Sequence, residues 1–369
     1  MKAGILTFHN AVNYGAVLQA YALQQTISAM GADCKIVNYK SPAVERQYRK
    51  ISFGERRSLK EYLSHNTTCS LRKAKVKAFS KFSAENLRLT QPITSLDELS
   101  GFDAVFVGSD QVWNPLCTNG DSAYLLKSLP DGVKKLAYAA SIGKNENIDL
   151  YKTTFGTEYE NLLREFMWIS LREADAAKYI SDKTGQVCDC VLDPTFLYGA
   201  DKWRRFCTAS GDEDYIFVYN LGNFSSLFQI AEKVRKQTGL KVKVINKDVK
   251  GELMSLKYKS CSCVSPDEFI SLLANSRYVV TDSFHATAFS IMFHKDFYSV
   301  ANTNAQNTNS RLKNVLKNLG IEERYVTDVS NFSMSKEISY KETDERLNRL
   351  QSYSLEKLSD IIKSIQTVR

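Results

Sequence analysis

Along this chain, short apolar runs alternate with longer stretches whose apolar positions recur at helical spacing. Few folds accommodate that alternation. A buried strand followed by a covering helix must return to a second strand beside the first, which gives a parallel sheet with helices on its faces. The first unit sets the pattern: an apolar run at 2–8, a polar loop at 9–15, a helical run at 16–30 carrying Val17, Ala20, Tyr21, Leu23, Gln24 and Ile27, then Gly31 as a stop and a second apolar run at 34–38. The same reading predicts a short capped helix at 95–99, strands at 104–107, 136–140, 168–171 and 187–192, and a helix at 173–180. After a polar passage at 207–214 a second series begins, with strands at 215–219, 241–245, 278–281 and 297–300 and helices at 224–238, 266–274 and 283–293.

The expected fold class is α/β: two doubly wound, Rossmann-like domains facing a cleft. Their expected bounds are 1–207, with a basic helical insertion at 43–88, and 208–340. The amphipathic end at 341–369, with Leu347, Leu350, Leu355, Leu358, Ile361 and Ile362, is expected to pack back on the first domain. In such folds strand C-termini and helix N-termini line the cleft, which is where a site is expected.

Composition removes the competing classes. With 43% apolar and 24% charged residues, 6 Pro and 17 Gly in 369 residues, and no apolar run long enough to cross a bilayer, disordered, collagen-like and membrane-spanning architectures do not fit. One Lys precedes the opening apolar run, which breaks at His9 and Asn10 without a cleavage site, so it reads as a core strand. The 8 Cys include the pairs Cys188/Cys190 and Cys261/Cys263 but no dense spacing, and the His stand at 9, 65, 285 and 294. Reduced thiols in a cytoplasmic protein, with no metal site, are therefore expected.

The net charge of +8 is local, because twelve Lys/Arg face four Glu between 43 and 88. Aromatic residues interleave the stretch from Arg56 to Lys81. The plain reading is a solvated helical face; the other is peripheral contact with an anionic membrane at its cytoplasmic side. No nucleic-acid signature accompanies the run, so nucleic acid is not an expected partner. The oligomeric state is open.

Strand 278–281 runs straight into Asp282, Ser283, Phe284, His285 and Thr287 at the start of a helix. Backbone N–H groups there, with the Ser283 or Thr287 hydroxyl and one imidazole, suit a phosphate or carboxylate with a proton donor beside it. The plainer alternative is that Asp282 or Ser283 caps the helix and His285 is a satisfied core side chain. Arg172 follows strand 168–171 in the same way, the alternative being a surface pair with Glu173. Asn302, Asn304, Asn307 and Asn309 before Arg311 read as a mobile loop delivering a cation, or as a loop in which Asn309 caps a helix. Asn220 and Gly222 end strand 215–219. In the first half, the loop holding Asn10, Asn13 and Tyr14 and the loop holding Asp110, Gln111 and Trp113 are rich in groups that recognise sugar hydroxyls and faces; a structural turn with a buried Trp is the alternative. Neither loop is a dinucleotide fingerprint or a P-loop.

At these residues the chain resembles the polysaccharide pyruvyl transferases. The resemblance rests on Asn13-Tyr14-Gly15-Ala16-Val17-Leu18-Gln19-Ala20, Gly108-Ser109-Asp110-Gln111-Val112-Trp113-Asn114, Ser170-Leu171-Arg172-Glu173, Leu192-Asp193-Pro194-Thr195 and Thr281-Asp282-Ser283-Phe284-His285-Ala286, in that order over about 1–320. It implies a glycosyltransferase type B-like fold and transfer of a pyruvyl group from phosphoenolpyruvate to two hydroxyls of one sugar, giving a cyclic ketal on a surface polysaccharide or its lipid-linked precursor. Phosphoenolpyruvate is then a co-substrate, and no cofactor is expected. The resemblance implies His285 as the active-site His, and the chemistry of the residues makes His285 the expected proton donor and Asp110 the expected base for the sugar hydroxyl. Arg172, Asp282, Ser283, Thr287, Arg311, Asn220 and Gly222 fall on the donor side, and Asn10, Asn13, Tyr14, Gln111 and Trp113 on the acceptor side. The chain departs from the family's Arg-Leu-His tripeptide, having Ser283 and Phe284 before the His, so one cation for the donor is missing. A nucleotide-sugar-dependent glycosyltransferase and a non-catalytic binding relative are the competing readings.

Overall fold

The computed structural model describes residues 1–41, 59–143, 158–208, 214–222, 224–247, 249–301 and 309–367, without the side chains of 59–72, 224, 249, 309 and 310. The basic stretch 42–58 and Asn302, Asn304 and Asn307 therefore lie outside the described residues. The chain divides into two compact units: unit 1 is 1–47, 83–198 and 348–369, and unit 2 is 48–82 and 199–347.

Unit 1 is built on a parallel sheet in the order β2-β1-β3-β4-β5-β6. Its strands are β1 (Lys2–Leu6), β2 (Asp33–Ile36), β3 (Ala104–Val107), β4 (Lys134–Ala140), β5 (Trp168–Leu171) and β6 (Cys188–Cys190). The sequence order reverses between β1 and β3, so the topological switch point lies at their C-terminal ends. Helix Tyr14–Ala29 starts two residues before its expected position because the Asn13 side chain accepts the Ala16 N–H (3.3 Å), and it ends before Gly31, whose φ is +85°. It is buried on nearly all faces, and Tyr21 meets Tyr198 hydroxyl to hydroxyl at 3.0 Å. That explains why its sequence is apolar all round rather than in one stripe.

Unit 2 repeats the plan with β7 (Tyr215–Asn220), β8 (Lys241–Asn246), β9 (Lys259–Ser260), β10 (Tyr278–Thr281), β11 (Asp296–Val300) and β12 (Tyr325–Val326), parallel in the order β12-β11-β10-β7-β8-β9. Its switch point falls between β7 and β10. Helix Pro266–Ala274 opens on a Ser265/Glu268 capping box with Pro at its first position, and helix Phe284–Met292 on Ser283, whose Oγ accepts the Ala286 N–H. Trp203, Phe269 and Phe289 form the aromatic centre: Phe289 lies 5.1 Å from the Trp203 ring and 6.4 Å from Phe269.

Two expectations change. Of the two readings at Arg311, the mobile loop gives way to the one with a helix starting at Asn309: Arg311 sits in the first turn of helix Asn309–Leu319, 7% exposed. The basic run is helical over Leu59–Asn86, but Phe79 and Phe82 are buried, Phe82 against Phe206 in unit 2, and Lys75 is buried as well. Phe79 and Phe82 therefore serve the core, and of the lysines whose side chains are described in this helix only Lys73, Lys77 and Lys81 face water.

Candidate functional site

In unit 1 the motif residues converge at the strand C-termini. Chain direction turns sharply after β3: Gly108 has φ +108°, and a Cβ there would meet the Tyr138 carbonyl at 2.4 Å, so only glycine fits. The turn delivers Ser109, whose Oγ donates toward the Ala139 carbonyl (3.0 Å) and lies 3.2 Å from Asp193. Arg172, leaving β5, donates from Nε to Ser109 Oγ (2.9 Å) and pairs with Asp193 at 3.1 Å and Asp110 at 3.5 Å. Its side chain is 2% exposed and that of Asp193 is 0%. Asp193 in turn caps the short helix behind it by accepting from the Thr195 N–H (2.9 Å) and hydroxyl (2.7 Å). Gln19, from the helix after β1, accepts the Ser109 N–H and donates to Thr7 Oγ1 (2.9 Å), which closes the ring across the β1/β3 switch point.

This arrangement is a buried network of ion pairs and hydrogen bonds. The Arg172 guanidinium, expected to grip a donor anion, is engaged by two carboxylates and shielded from solvent. Tyr14 and Trp113 also differ from expectation: both are 0% exposed, and the Trp113 indole N–H donates to the Tyr124 carbonyl (2.8 Å) with its ring edge-on to Phe166. Neither offers a face for a sugar. Gln111 accepts from Asn114 (2.6 Å), Asn13 caps its helix, and Asn10 is exposed. Asp110 keeps 14% of its side chain exposed.

In unit 2 the switch point is bridged directly. The Asp282 carboxylate, just beyond β10, accepts the Leu221 N–H just beyond β7 at 2.7 Å. Its charge and burial together push the Tyr219 phenol well above its ordinary pKa, burial being the larger cause. Asn220 shapes the neighbouring turn: its Oδ1 accepts the Gly222 N–H (3.0 Å) and its Nδ2 donates to Asn246 (2.9 Å). The Thr287 hydroxyl donates to the Ser283 carbonyl (3.0 Å) and sits 2.6 Å from Ser299 Oγ, so it is occupied inside the core. Thus Asp282, Ser283, Thr287, Asn220 and Gly222 all hold the shape of this edge.

His285 stands in the first turn of helix Phe284–Met292, 7% exposed, its ring edge-on to Phe284 at 5.2 Å. The Arg311 guanidinium lies over the same Phe284 ring at 5.9 Å. An imidazole, a guanidinium and the positive end of a helix dipole therefore share one corner of unit 2. Among the described residues no group of three or more His, Cys, Asp or Glu side chains is placed to hold a metal ion.

Sequence reading missed Thr7, Gln19 and Asn246 as parts of these networks. Gln19 is legible in hindsight as a polar residue inside an apolar helix. Asn246 carried only the weak signal of an amide ending a buried strand.

No curated protein sequence matches the chain. Among solved structures it is similar to S. aureus MnaA with UDP (13% identity, TM-score 0.50, covering 100% of this chain and 98% of that one). It is also similar to UDP-GlcNAc 2-epimerase from Methanocaldococcus jannaschii (11%, 0.49, 100% and 100%) and to E. coli heptosyltransferase WaaC (13%, 0.42, 84% and 91%). At 13% identity the likeness to MnaA concerns the fold alone, and the two parallel six-stranded sheets are those of a glycosyltransferase type B-like fold. The sequence itself goes further: residues 13–304 match the model of polysaccharide pyruvyl transferase, and the chain belongs to that family.

Proposed function

We propose that this protein transfers a pyruvyl group from phosphoenolpyruvate to two hydroxyls of one sugar of a polysaccharide or its lipid-linked precursor, forming a cyclic ketal and releasing phosphate. The observation that carries the reading is the pairing of His285 with Arg311 around Phe284 at a helix N-terminus. Phosphoenolpyruvate carries roughly three negative charges near neutral pH. A helix N-terminus and a guanidinium fork meet that demand, and Arg311 supplies from the following helix the cation that Ser283 does not.

Protonated His285 gives its proton to the methylene carbon, and the carbon bearing the phosphate ester gains oxocarbenium character. One sugar hydroxyl adds there, losing its proton to the now neutral imidazole. The C–O bond to phosphate then breaks, and the second hydroxyl closes the ring, its proton passing to the departing phosphate, which leaves as hydrogen phosphate. Burial keeps the imidazole from trading protons with bulk water between steps. In unit 1, Arg172 holds the strand ends rather than the donor.

The test is phosphate release from phosphoenolpyruvate with a panel of sugar acceptors. His285→Ala should lower kcat by about a hundredfold or more with unchanged circular dichroism. Arg311→Ala should instead raise KM for phosphoenolpyruvate by about tenfold or more. Thermal protection by a uridine diphosphate sugar but not by phosphoenolpyruvate would replace this reading with the nucleotide-sugar one, and near-normal turnover of His285→Ala would remove the assigned acid.

A further inference from the structure

Beyond β8 the chain makes a short helix, Val249–Met254, and returns through 255–258 to β9. This tip is fixed at both ends. Ser255 is buried, accepts from Asn246 Nδ2 (2.9 Å) and donates to the Gly251 carbonyl (2.8 Å). A Cβ on Gly251 would press on the Asn246 side chain at 2.6 Å, so the backbone at Gly251 lies directly against that amide. On the return, Tyr258 donates to Glu232 (2.7 Å) and packs on Phe228 at 5.9 Å.

The outer side of this anchored tip is apolar. Leu253 is 64% exposed, Met254 49% and Leu256 78%. Elsewhere among the described residues the exposed large apolar side chains are Val76, Leu116, Met167, Val187 and Tyr353, none within four positions of another, whereas here three occupy four consecutive positions. Scattered exposed apolar residues are ordinary in soluble proteins; a held cluster marks a contact. Lys250, Lys257 and Lys259 flank the three side chains and are exposed. The acidic residue within the tip, Glu252, turns inward, accepting from Asn246 at 3.2 Å. Glu232 beside it pairs with both Lys257 (3.0 Å) and Arg235 (2.7 Å).

We infer that the tip Lys250–Lys259 is a membrane-surface contact whose occupant is an anionic bilayer: Leu253, Met254 and Leu256 enter the acyl boundary while the lysines meet the headgroups. The pairing of apolar side chains with a basic rim is what an interface of that chemistry requires. A second copy of the chain fits less well, since a stable dimer buries about 800 Å² per partner, more than three side chains at a tip present. No described helix is long and apolar enough to cross a membrane, so the contact is peripheral. The tip also shares an edge with the His285 turn, because Asn246 bonds Asn220, and Asn220 and Asp282 together hold the β7 exit. Under the function proposed above, docking there carries that edge toward lipid-linked acceptors; this consequence rests on that reading, whereas the contact itself does not.

The experiment is flotation of the full chain with phosphatidylglycerol-containing vesicles and with pure phosphatidylcholine vesicles, at low and high salt. The chain should float with the anionic vesicles at low salt only. The triple variant Leu253→Gln, Met254→Gln, Leu256→Gln should partition about tenfold less or weaker still, and Lys250→Glu with Lys259→Glu should also lose flotation. Lys73→Gln with Lys77→Gln, on helix Leu59–Asn86, should float as the parent does. Phosphate release on a soluble acceptor should be the same in the parent and the triple variant, which separates failure of this inference from failure of the proposed reaction. Absence of flotation in the parent, equal flotation of the triple variant, loss of flotation only in the Lys73/Lys77 variant, or conversion of a parental dimer to monomer by the triple variant would each overturn the assignment.

Discussion

Two buried ionisable residues of unit 1 make opposite demands on the fold. Arg172 is held between Asp193 and Asp110, and truncating it strands the fully buried Asp193 carboxylate in a low-dielectric interior. Removing one partner of such a pair costs about 3–5 kcal/mol, far more than the pair itself contributes. Arg172→Ala is therefore expected to lower urea-unfolding stability by about that amount, and an unchanged midpoint with weakened phosphoenolpyruvate binding would return Arg172 to the donor. His9 acts through its neutral form. Burial holds its pKa below the ordinary 6.5 despite hydrogen bonds to the Thr7 carbonyl and the Asn38 amide. Below about 6.5 the unfolded chain binds a proton that the folded chain refuses, so stability is complete above that pH and declines as pH falls through it. His9→Gln should flatten the decline; denaturant titrations at stepped pH that keep the same slope in both proteins would exclude His9 as its source.

At the level of elements, the exit from β3 is the most constrained point in unit 1. Gly108 combines a φ of +108° with a Cβ position only 2.4 Å from the Tyr138 carbonyl, a backbone atom of the paired strand β4 that cannot move aside. Gly108→Ala should therefore open the β3/β4 ladder, with loss of cooperative unfolding by circular dichroism; a variant melting within a few degrees of the parent would show that the turn relaxes. The Gly-Ser-Asp motif announced this turn in the sequence. The ion network behind it was not legible, because the Arg172–Asp193 contact depends on the pairing of β5 with β6, and a strand expected at 187–192 carries no information on its neighbour. Edge strands β9 and β12 escaped because two residues are too few to show a period. Helix Asn309–Leu319 is a different case. Leu312, Val315, Leu316 and Leu319 recur at helical spacing and are all buried, and the start was legible only through the reading that put a helix cap at Asn309. The strand-to-helix turn at His285 was legible because both elements are strongly patterned and meet without an intervening linker.

For the molecule as a whole, the alternation of strand and helix implied two parallel sheets, and both switch points fall where the motifs cluster. The final segment of unit 1, 348–369, returns after all of unit 2 has intervened, and its one signal in the sequence was the amphipathic run expected to pack back on the first domain. Within unit 1 this segment is bound by specific contacts: the Leu192 N–H donates to Ser354 Oγ (3.0 Å), Gln351 donates to the Phe196 carbonyl (2.8 Å), and Tyr353 and Lys357 meet Asp189 at 2.7 and 3.2 Å. Leu358 and Ile362 are buried at 0% and 1% exposure. Losing a buried Leu or Ile side chain costs about 2–5 kcal/mol, and two of them with the polar contacts approach the whole stability of a typical domain, about 5–15 kcal/mol. A chain ended at Leu347 is thus expected to leave unit 1 unfolded. The check is limited proteolysis followed by mass mapping, with the peptide 348–369 added back. Cleavage should concentrate in 1–47 and 83–198 and diminish when the peptide is supplied. Protection of those segments in the truncated chain without the peptide would mean that unit 1 folds on its first two segments alone, and that the returning helix is an addition to the domain rather than part of its core.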